Sequence, residues 1–405
     1  MSFPKDFLWG AATASYQVEG GIENCDWAQA AREGRVPPCG RACDHYHRYE
    51  EDFDLAQALG HTAHRFSLEW ARIEPAEGKF DEGEIAHYRQ VIRALKARGM
   101  TPFVTLWHFT LPQWFADKGG FECAEAPEIF ARYARYVVEQ LGEEVVHIST
   151  MNEPMVFLDL GWRKGNWPPF KKFTLGSFFT RTVSGDESQN RPVHKHRHLF
   201  TFYRVLRQLA RTQAVTYRAI KDVRPEIDVS LVRHTIAYAH DGRWFNRLRA
   251  WFQDQYFNHY FLKKVAPYCD SLGLNYYHYV PFGCTIERKT DMGWNYAPEH
   301  IYEALLVLAR YGKPVFVSEA GIATQHDEER AEYIKKQVQG VARALEAGVD
   351  VRAHLYWSLL DNYEWALGFA KRFGLIEVDY GTLERRVRPS AYVYKDIIER
   401  NGALE

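Results

Sequence analysis

Short apolar runs alternate with longer amphipathic stretches along most of this chain. The apolar runs are rich in small and β-branched residues, as buried strands are, and the stretches between them carry apolar residues at helical spacing. The predicted strands cover residues 7–15, 62–70, 100–108, 144–153, 227–232, 271–277, 314–319 and 352–359. The predicted helices cover residues 44–59, 82–98, 127–141, 192–221, 298–311 and 328–347.

This alternation predicts an α/β protein. Eight strands, each followed by helical sequence, are the pattern of a (β/α)8 TIM barrel, whose functional face lies at the carboxyl ends of the strands. No linker or low-complexity run divides the 405 residues, so a single barrel domain is predicted over residues 1–405. Residues 165–191 do not follow the alternation and are predicted to arch over the pocket as a lid or wall.

The composition adds a bias towards aromatic residues, which make up 15% of the chain. Such rings either pack the interior or line a sugar site, where a ring face stacks on the C–H face of a pyranose. The formal net charge of -1 gives no reason to expect nucleic acid or an anionic membrane as a partner.

The cysteines and the first residues indicate the cellular compartment of the protein. Six scattered cysteines form no CxxC pair, which favours free thiols in a reducing cytoplasm over a disulfide framework. The first residues lack an apolar signal core, and no apolar run reaches the length of a membrane span. These features predict a cytoplasmic location.

Two of the predicted strands end in a glutamate. Glu153 ends the fourth strand and precedes Pro154, and Glu319 ends the seventh strand and is followed by a small-residue turn at Gly321. Each glutamate alone could be an exposed loop residue. Because the carboxyl ends of barrel strands share one face, the repetition favours a paired role, and two carboxylates are what glycosidic bond cleavage requires.

Polar or aromatic side chains also lie at the ends of the other predicted strands. Gln17 follows the first strand, and its amide both donates and accepts a hydrogen bond, as a sugar hydroxyl requires. The remaining strand-end residues are Arg65, His108, Asn152, Asn275, Tyr277 and Trp357. Such a ring of side chains marks the catalytic face of a barrel.

These residues belong to longer motifs that extend over almost the whole chain. The motifs are FLWGAATASYQVEG (7–20), ACDHY (42–46), RFSLEWARI (65–73), TLWHFTLP (105–112), TMNEP (150–154), NYY (275–277), SEAG (318–321), WSLLDNYEW (357–365) and KRFGLIEVD (371–379). In content and order they resemble glycoside hydrolase family 1, the β-glucosidase and β-galactosidase family. The resemblance is weaker between about residues 170 and 270.

The resemblance implies a retaining β-glycosidase that hydrolyses β-D-glucosides by double displacement through a covalent glycosyl-enzyme. β-Galactosides and β-fucosides are further expected substrates. The resemblance assigns Glu153 as general acid and base and Glu319 as nucleophile. The positions that match the family's substrate site are Gln17, His108, Asn152, Tyr277, Trp357, Glu364 and Trp365, and those in supporting places are Arg65, Asn275 and Phe373.

The partners implied are small β-glycosides or short oligosaccharides, without a cofactor or metal, and a homo-oligomer is left open. As the acid, Glu153 must carry a proton near neutral pH, which partial burial and a neighbouring carboxylate favour. Glu319 must stay ionised, and the Arg65 charge and the Tyr277 hydroxyl are expected to favour that form. The retaining geometry places the two carboxyl groups about 5–5.5 Å apart.

Three positions depart from the family's usual pattern. Ala320 replaces the Asn of the usual TENG motif, Phe109 stands where many members have Trp, and Leu367 replaces a common acidic residue. Residues 361–365 keep Glu364 and lack the Ser-rich pattern of the phospho-glycosidases. We therefore expect unphosphorylated sugars as substrates.

Two histidine-containing stretches were weighed as metal sites. Asp44, His45 and His47 begin a predicted helix, where imidazoles two positions apart face different directions, so no metal site is predicted there. The run at residues 194–198 is interpreted as a solvated, basic helix start. No Gly-rich phosphate loop follows a predicted strand, which argues against a nucleotide cofactor.

Two other functions fit the same fold. A barrel that only binds glycans would be expected to lack one of the two glutamates, and both Glu153 and Glu319 are present. An enzyme that mainly transfers glycosyl groups to acceptors other than water uses the same glycosyl-enzyme, so the sequence leaves this alternative open.

Overall fold

The computed structural model describes residues 3–172 and 198–403, and within them eight parallel strands close into a barrel. The strands in chain order are β1 Leu8–Ala12, β2 Ala63–Ser67, β3 Thr101–Thr105, β4 His147–Asn152, β5 Asp228–His234, β6 Ala237–His240, β7 Ser271–Tyr276, β8 Tyr279–Phe282, β9 Val315–Ala320, β10 Val351–Trp357, β11 Ile376–Val378 and β12 Arg385–Val387. The barrel order is β1-β10-β9-β7-β5-β4-β3-β2. The predicted (β/α)8 barrel is confirmed.

The strands outside the barrel form two small sheets. β6 pairs in parallel with β8, and β11 pairs antiparallel with β12. The α-helices in chain order are α1 Ser15–Val18, α2 Asp26–Arg32, α3 His45–Ala58, α4 Trp70–Ile73, α5 Glu82–Ala97, α6 Gln113–Asp117, α7 Ala126–Leu141, α8 Pro154–Leu158, α9 His198–Val223, α10 Trp244–Gln253, α11 Tyr260–Val265, α12 Ile301–Ala309, α13 Asp327–Glu346 and α14 Pro389–Glu399.

The barrel interior is filled by apolar side chains away from its mouth. Ala63, Phe103, Val232, Phe316 and Leu355, from five different strands, contact one another there. A second apolar layer separates the outer faces of the strands from the surrounding helices. Because side chains fill the interior, a ligand has room only at the mouth formed by the carboxyl ends of the strands.

The predicted element boundaries needed correction at several places. The predicted strand 62–70 stops at Ser67, because the Glu69 side chain accepts a hydrogen bond from the Ala71 amide and so begins α4. The fifth strand runs on to His234 rather than ending at residue 232. Residues 192–197 of the predicted helix 192–221, and residues 173–191 of the predicted lid, lie outside the described residues.

Two further observations concern the cysteines and membrane spans. All six cysteines are free of disulfides, and four of them are fully buried or nearly so: Cys25, Cys39, Cys43 and Cys269. Across residues 3–172 and 198–403, no helix is both long enough and apolar enough to pass through a bilayer.

Candidate active site

A cavity of about 800 Å³ opens at the carboxyl ends of the barrel strands. This volume lies in the range of small-molecule sites, roughly 300–1,000 Å³. Ten of the twelve residues singled out from the sequence line it: Gln17, His108, Asn152, Glu153, Tyr277, Glu319, Trp357, Glu364, Trp365 and Phe373. The other two, Arg65 and Asn275, are buried directly behind the carboxylates and contact them.

Glu153 is presented by a left-handed turn between β4 and α8. Its backbone has φ 45° and ψ 53°, and Pro154 occupies the first turn of α8. The Glu153 amide donates to the carbonyl of Val232 on β5 (3.0 Å), which fixes the turn against the barrel. A left-handed conformation is uncommon for a residue with a side chain, so the fold holds this carboxylate in place at some cost in backbone strain.

Two side chains approach one oxygen of the Glu153 carboxylate. The Asn275 amide donates to Oε1 over 2.6 Å, and the Nδ1 of His234 lies 3.6 Å from the same oxygen. Asn275 is itself fixed, because its Oδ1 accepts a hydrogen bond from Ser318 (2.7 Å). The side-chain hydrogen bond to the Glu153 carboxylate therefore comes from a neutral amide, that of Asn275.

Glu319 has a different environment from that of Glu153. Arg65 donates to its Oε1, and the Tyr277 hydroxyl donates to its Oε2 over 2.9 Å. Arg65 is fully buried, and it also donates to Asn152 (2.8 Å) and to Thr105 (3.1 Å). Both oxygens of Glu319 thus accept hydrogen bonds from buried side chains.

The glycine of the SEAG motif is required by a close approach of two strands. A Cβ atom at Gly321 would lie 1.9 Å from the carbonyl oxygen of Trp357. Any larger residue there would push β9 away from β10 and displace Glu319. Ala320, which replaces the family's usual Asn, is fully buried and pairs with Tyr356 of β10.

The acidic groups of the cavity are electrostatically coupled. Burial raises the pKa of Glu319 to about 7, with the Arg65 charge opposing and the Glu153 charge reinforcing that rise. Burial also raises the pKa of Glu364 to about 8, and Glu319 and Glu153 add to the rise. Arg65 and Tyr277 act to lower the pKa of Glu319, as expected, whereas burial acts in the opposite direction and has the larger effect.

Other residues that line the cavity offer hydrogen-bonding groups and ring faces. Gln17 uses its Nε2 to donate to Asn362 (3.0 Å) and to the Tyr363 carbonyl (2.7 Å), so its buried Oε1 keeps acceptor capacity towards the cavity. His108 stacks near Trp365, with ring centroids 6.0 Å apart and planes 10° apart. Such a combination of amide, imidazole and indole is suited to a polyhydroxylated ring.

Phe109, which stands where many members of the family have Trp, packs among other aromatic rings. Its ring contacts Trp167 and Trp365, at centroid distances of 4.8 and 5.2 Å. Phe109 is 3% exposed and lines the cavity. The position therefore contributes an apolar surface that supports the Trp365 ring.

Several cavity residues were missed by the sequence reasoning. His234 was missed because the predicted fifth strand ended two residues too early, and His278, directly after Tyr277, was not considered. Trp294 lies in a loop without a periodic signal, and its ring centroid is 4.3 Å from that of His278. The His234 signal was available, since it lies at the end of a barrel strand as Asn152 does.

The histidines weighed as metal ligands have other partners. His45 is buried, and its Nδ1 lies 2.7 Å from Asp52, which also accepts from Arg385 (2.8 Å). His47 is exposed and pairs with Asp44. In the part of the chain that the structure describes, no three His, Cys, Asp or Glu side chains are grouped to hold a metal ion. Residues 194–197 lie outside it.

The raised pKa of Glu364 predicts a pH-dependent stability change in Glu364→Gln. In the unfolded chain this carboxyl has a pKa of 4.5. Its contribution to the free energy of unfolding is therefore fully present below pH 4.5 and is lost as the pH rises from there through about 8. At pH 8 the free energy of unfolding of the glutamine variant should be about 1–3 kcal/mol higher than that of wild type. At pH 5 the two free energies should be similar. Urea unfolding at both pH values measures this.

A matched control is the exposed Glu346, whose substitution by Gln should leave both unfolding curves in place. Equal effects of Glu364→Gln at pH 5 and pH 8 would contradict the electrostatic explanation. Activity of the variant should fall at both pH values, because an acceptor for sugar hydroxyls in the cavity wall is weakened.

Comparisons with known proteins agree with this geometry. The model of glycosyl hydrolase family 1 matches residues 1–278 and 279–403. β-Glucosidase A of Acetivibrio thermocellus is 33% identical over 455 residues, covering 99% of each chain, and β-glucosidase A of Thermotoga maritima is 32% identical, covering 99% of this chain and 98% of its own.

Solved structures give the same result. A β-glycosidase from Pyrococcus horikoshii superposes with a TM-score of 0.87 and 36% identity, covering 100% of this chain and 99% of that chain. The Thermotoga maritima β-glucosidase in complex with glucoimidazole has a TM-score of 0.88 and 29% identity, covering 99% and 100%. The cavity, its paired glutamates and these similarities establish that the chain belongs to glycosyl hydrolase family 1 and is a glycosidase.

Proposed function

We propose that this enzyme is a retaining β-glycosidase that hydrolyses β-D-glucosides, and also β-galactosides and β-fucosides, through a covalent glycosyl-enzyme. The observation that carries the proposal is that two carboxylates in one cavity have different hydrogen-bond partners. Glu319 is held by a buried guanidinium and a phenol, whereas Glu153 is held by an amide. Relatives named β-glucosidase, and a relative solved with glucoimidazole, support it.

In the first half of the reaction, Glu319 attacks the anomeric carbon and forms an ester. Arg65 and Tyr277 orient its two oxygens and favour the ionised form that attacks. Glu153 gives its proton to the leaving oxygen as the glycosidic bond breaks. The retaining mechanism requires the two carboxyl groups about 5–5.5 Å apart, and that spacing stays a prediction here.

In the second half, the charge on Glu319 is gone because the carboxylate has become an ester. Glu153 and Glu319 interact electrostatically, so formation of the ester removes one negative charge from beside Glu153. Glu153 then takes a proton from water, which attacks the anomeric carbon and releases the sugar with its original β configuration. The same pair of residues thus supplies an acid and later a base.

The proposed substrate range rests on the hydrogen-bonding groups and the aromatic ring that line the cavity. Gln17, His108 and Glu364 offer both donors and acceptors, and Trp365 offers a ring face. We expect such a set to accept an axial or an equatorial hydroxyl at C4, so aryl β-glucosides, β-galactosides and β-fucosides should all be hydrolysed. A panel that also contains the manno and xylo substrates measures this, and turnover of the glucoside alone would contradict it.

The stereochemistry of the product tests the mechanism itself. Proton NMR of an aryl β-glucoside digest should show the β anomer of glucose first, with the α anomer appearing later by mutarotation. Initial appearance of the α anomer would mean a single displacement and would overturn the proposal. Repeating the digest with an added sugar acceptor measures how far transfer competes with hydrolysis.

A further inference from the structure

Helix α10 has its large apolar side chains on the outside. Its buried residues are Asn246, Ala250 and Gln253, two of them polar and one small. Its exposed residues include Trp244, Phe245, Leu248, Trp251 and Phe252, with exposed fractions between 42% and 75%. A surface helix of a globular protein normally buries its apolar stripe, so this arrangement is inverted.

The exposed residues form one continuous stripe. At about 100° per residue, the five apolar side chains occupy an arc of about 120° around the helix axis. Arg247 borders this arc on one side and Arg249 on the other, and both are exposed. Apolar residues flanked by arginines are the arrangement of a helix that lies in the plane of a lipid interface.

The helix stands on the catalytic side of the barrel. β6, which leads into α10, begins three residues after His234, and its partner β8 begins directly after His278. Both histidines line the cavity. Arg249 lies over the ring of Phe282 in β8, 5.2 Å from its centroid, which ties α10 to this pair of strands. Helix α10 therefore packs on strands that continue from the cavity mouth.

We propose that this stripe docks α10 on the surface of an anionic lipid bilayer. Trp and Phe side chains would enter the boundary between headgroups and acyl chains, and the flanking arginines would contact anionic headgroups. No part of the chain described by the structure covers the stripe. This contact is peripheral, and it requires no helix that crosses the membrane.

A second copy of the chain fits the stripe less well. α10 contains no Asp or Glu, so a two-fold contact between two such helices would bring Arg247 and Arg249 towards the same residues of the other copy. An anionic surface complements these charges instead. The net charge of -1, which argued against a membrane partner, conceals this local excess of positive charge.

Vesicle co-sedimentation tests the proposal. The wild-type protein should bind vesicles that contain phosphatidylglycerol more strongly than pure phosphatidylcholine vesicles, and raising the salt concentration should weaken the difference. Trp244→Ser combined with Trp251→Ser should reduce binding at least about 10-fold on both kinds of vesicle. Arg247→Gln combined with Arg249→Gln should reduce only the additional binding to the anionic vesicles.

The control is Tyr392→Ser, which removes an aromatic residue of similar exposure (53%) from α14 and should bind as wild type does. All variants should hydrolyse a soluble aryl glucoside at the wild-type rate, which shows that they are folded and separates this test from that of the proposed function. Absence of wild-type binding, or unchanged binding of the tryptophan variant, would overturn the proposal. The proposal would also be overturned if the wild-type protein were a dimer in gel filtration and the tryptophan variant were a monomer.

Discussion

Replacing Glu319 by Ala should stop the hydrolysis of every β-glycoside, whatever its leaving group. In the proposed mechanism no glycosyl-enzyme can form without this carboxylate, and proton donation by Glu153 cannot compensate because the anomeric carbon lacks a nucleophile. We expect kcat to fall by about 10⁴-fold or more. Rates on a dinitrophenyl glucoside and on a disaccharide, measured side by side, should fall together.

Azide should restore turnover of the Glu319→Ala variant in a way that identifies the role of the residue. The truncated side chain leaves space for a small anion beside Arg65 and Tyr277, the two groups that hold the carboxylate. Azide attacking from that position displaces the leaving group in a single inversion and gives the α-glycosyl azide. The product is identified by NMR.

Glu319→Gln is the matched control for this rescue. The amide keeps the shape of the side chain, so the variant should be equally inactive but should leave no space for azide. A β-azide from Glu319→Ala would mean that the roles of the two glutamates are exchanged. Near wild-type activity in Glu319→Ala would place the nucleophile elsewhere.

The barrel and many of the residues that line its cavity could be predicted from the sequence, because both depend on local patterns. Strand-end residues such as Gln17, Asn152 and Tyr277 are placed at the mouth by strand direction alone. His234 was missed because the end of a strand is set by pairing with the neighbouring strand: it pairs with Asn275, beyond the residue where the apolar run stops. Sequence periodicity does not contain that information.

Other features depend on burial and on distant partners. Burial raises the pKa of Glu319 against the opposing effect of the Arg65 contact that the motif implied. Gln17 is oriented by Asn362, 345 positions away. The helical spacing of α10 is visible in the sequence, but whether its apolar stripe faces inwards or outwards is decided by the β6–β8 pair on which it packs.

Replacing Glu153 by Ala should separate substrates by their leaving groups. The proposed nucleophile Glu319 keeps its partners Arg65 and Tyr277, and only the proposed proton donor is lost. A dinitrophenolate leaves with little protonation, so the first step on an aryl substrate should largely survive. A disaccharide needs the proton, so its kcat/KM should fall by about 10²–10⁴-fold. Steady-state kinetics on both substrates measure the difference.

The second step of the Glu153→Ala reaction should also change. Water must now attack the glycosyl-enzyme without a base, so the ester on Glu319 should accumulate and give a burst of released phenol, with an intact-protein mass increased by one glycosyl group. Azide needs no base and can occupy the space beside Asn275 that the carboxylate has left. Turnover should therefore increase with azide concentration.

The azide product distinguishes the two glutamates. In Glu153→Ala the sugar is inverted once by Glu319 and a second time by azide, so the product should be the β-glycosyl azide, whereas Glu319→Ala should give the α-azide. Glu153→Gln serves as the control, since its amide fills the space and should prevent rescue. An α-azide from Glu153→Ala would mean that the roles of the two glutamates are exchanged. An unchanged rate on the disaccharide would mean that Glu153 takes no part in the reaction. Opposite azides from two carboxylates in one cavity would require one to act as nucleophile and the other as acid and base.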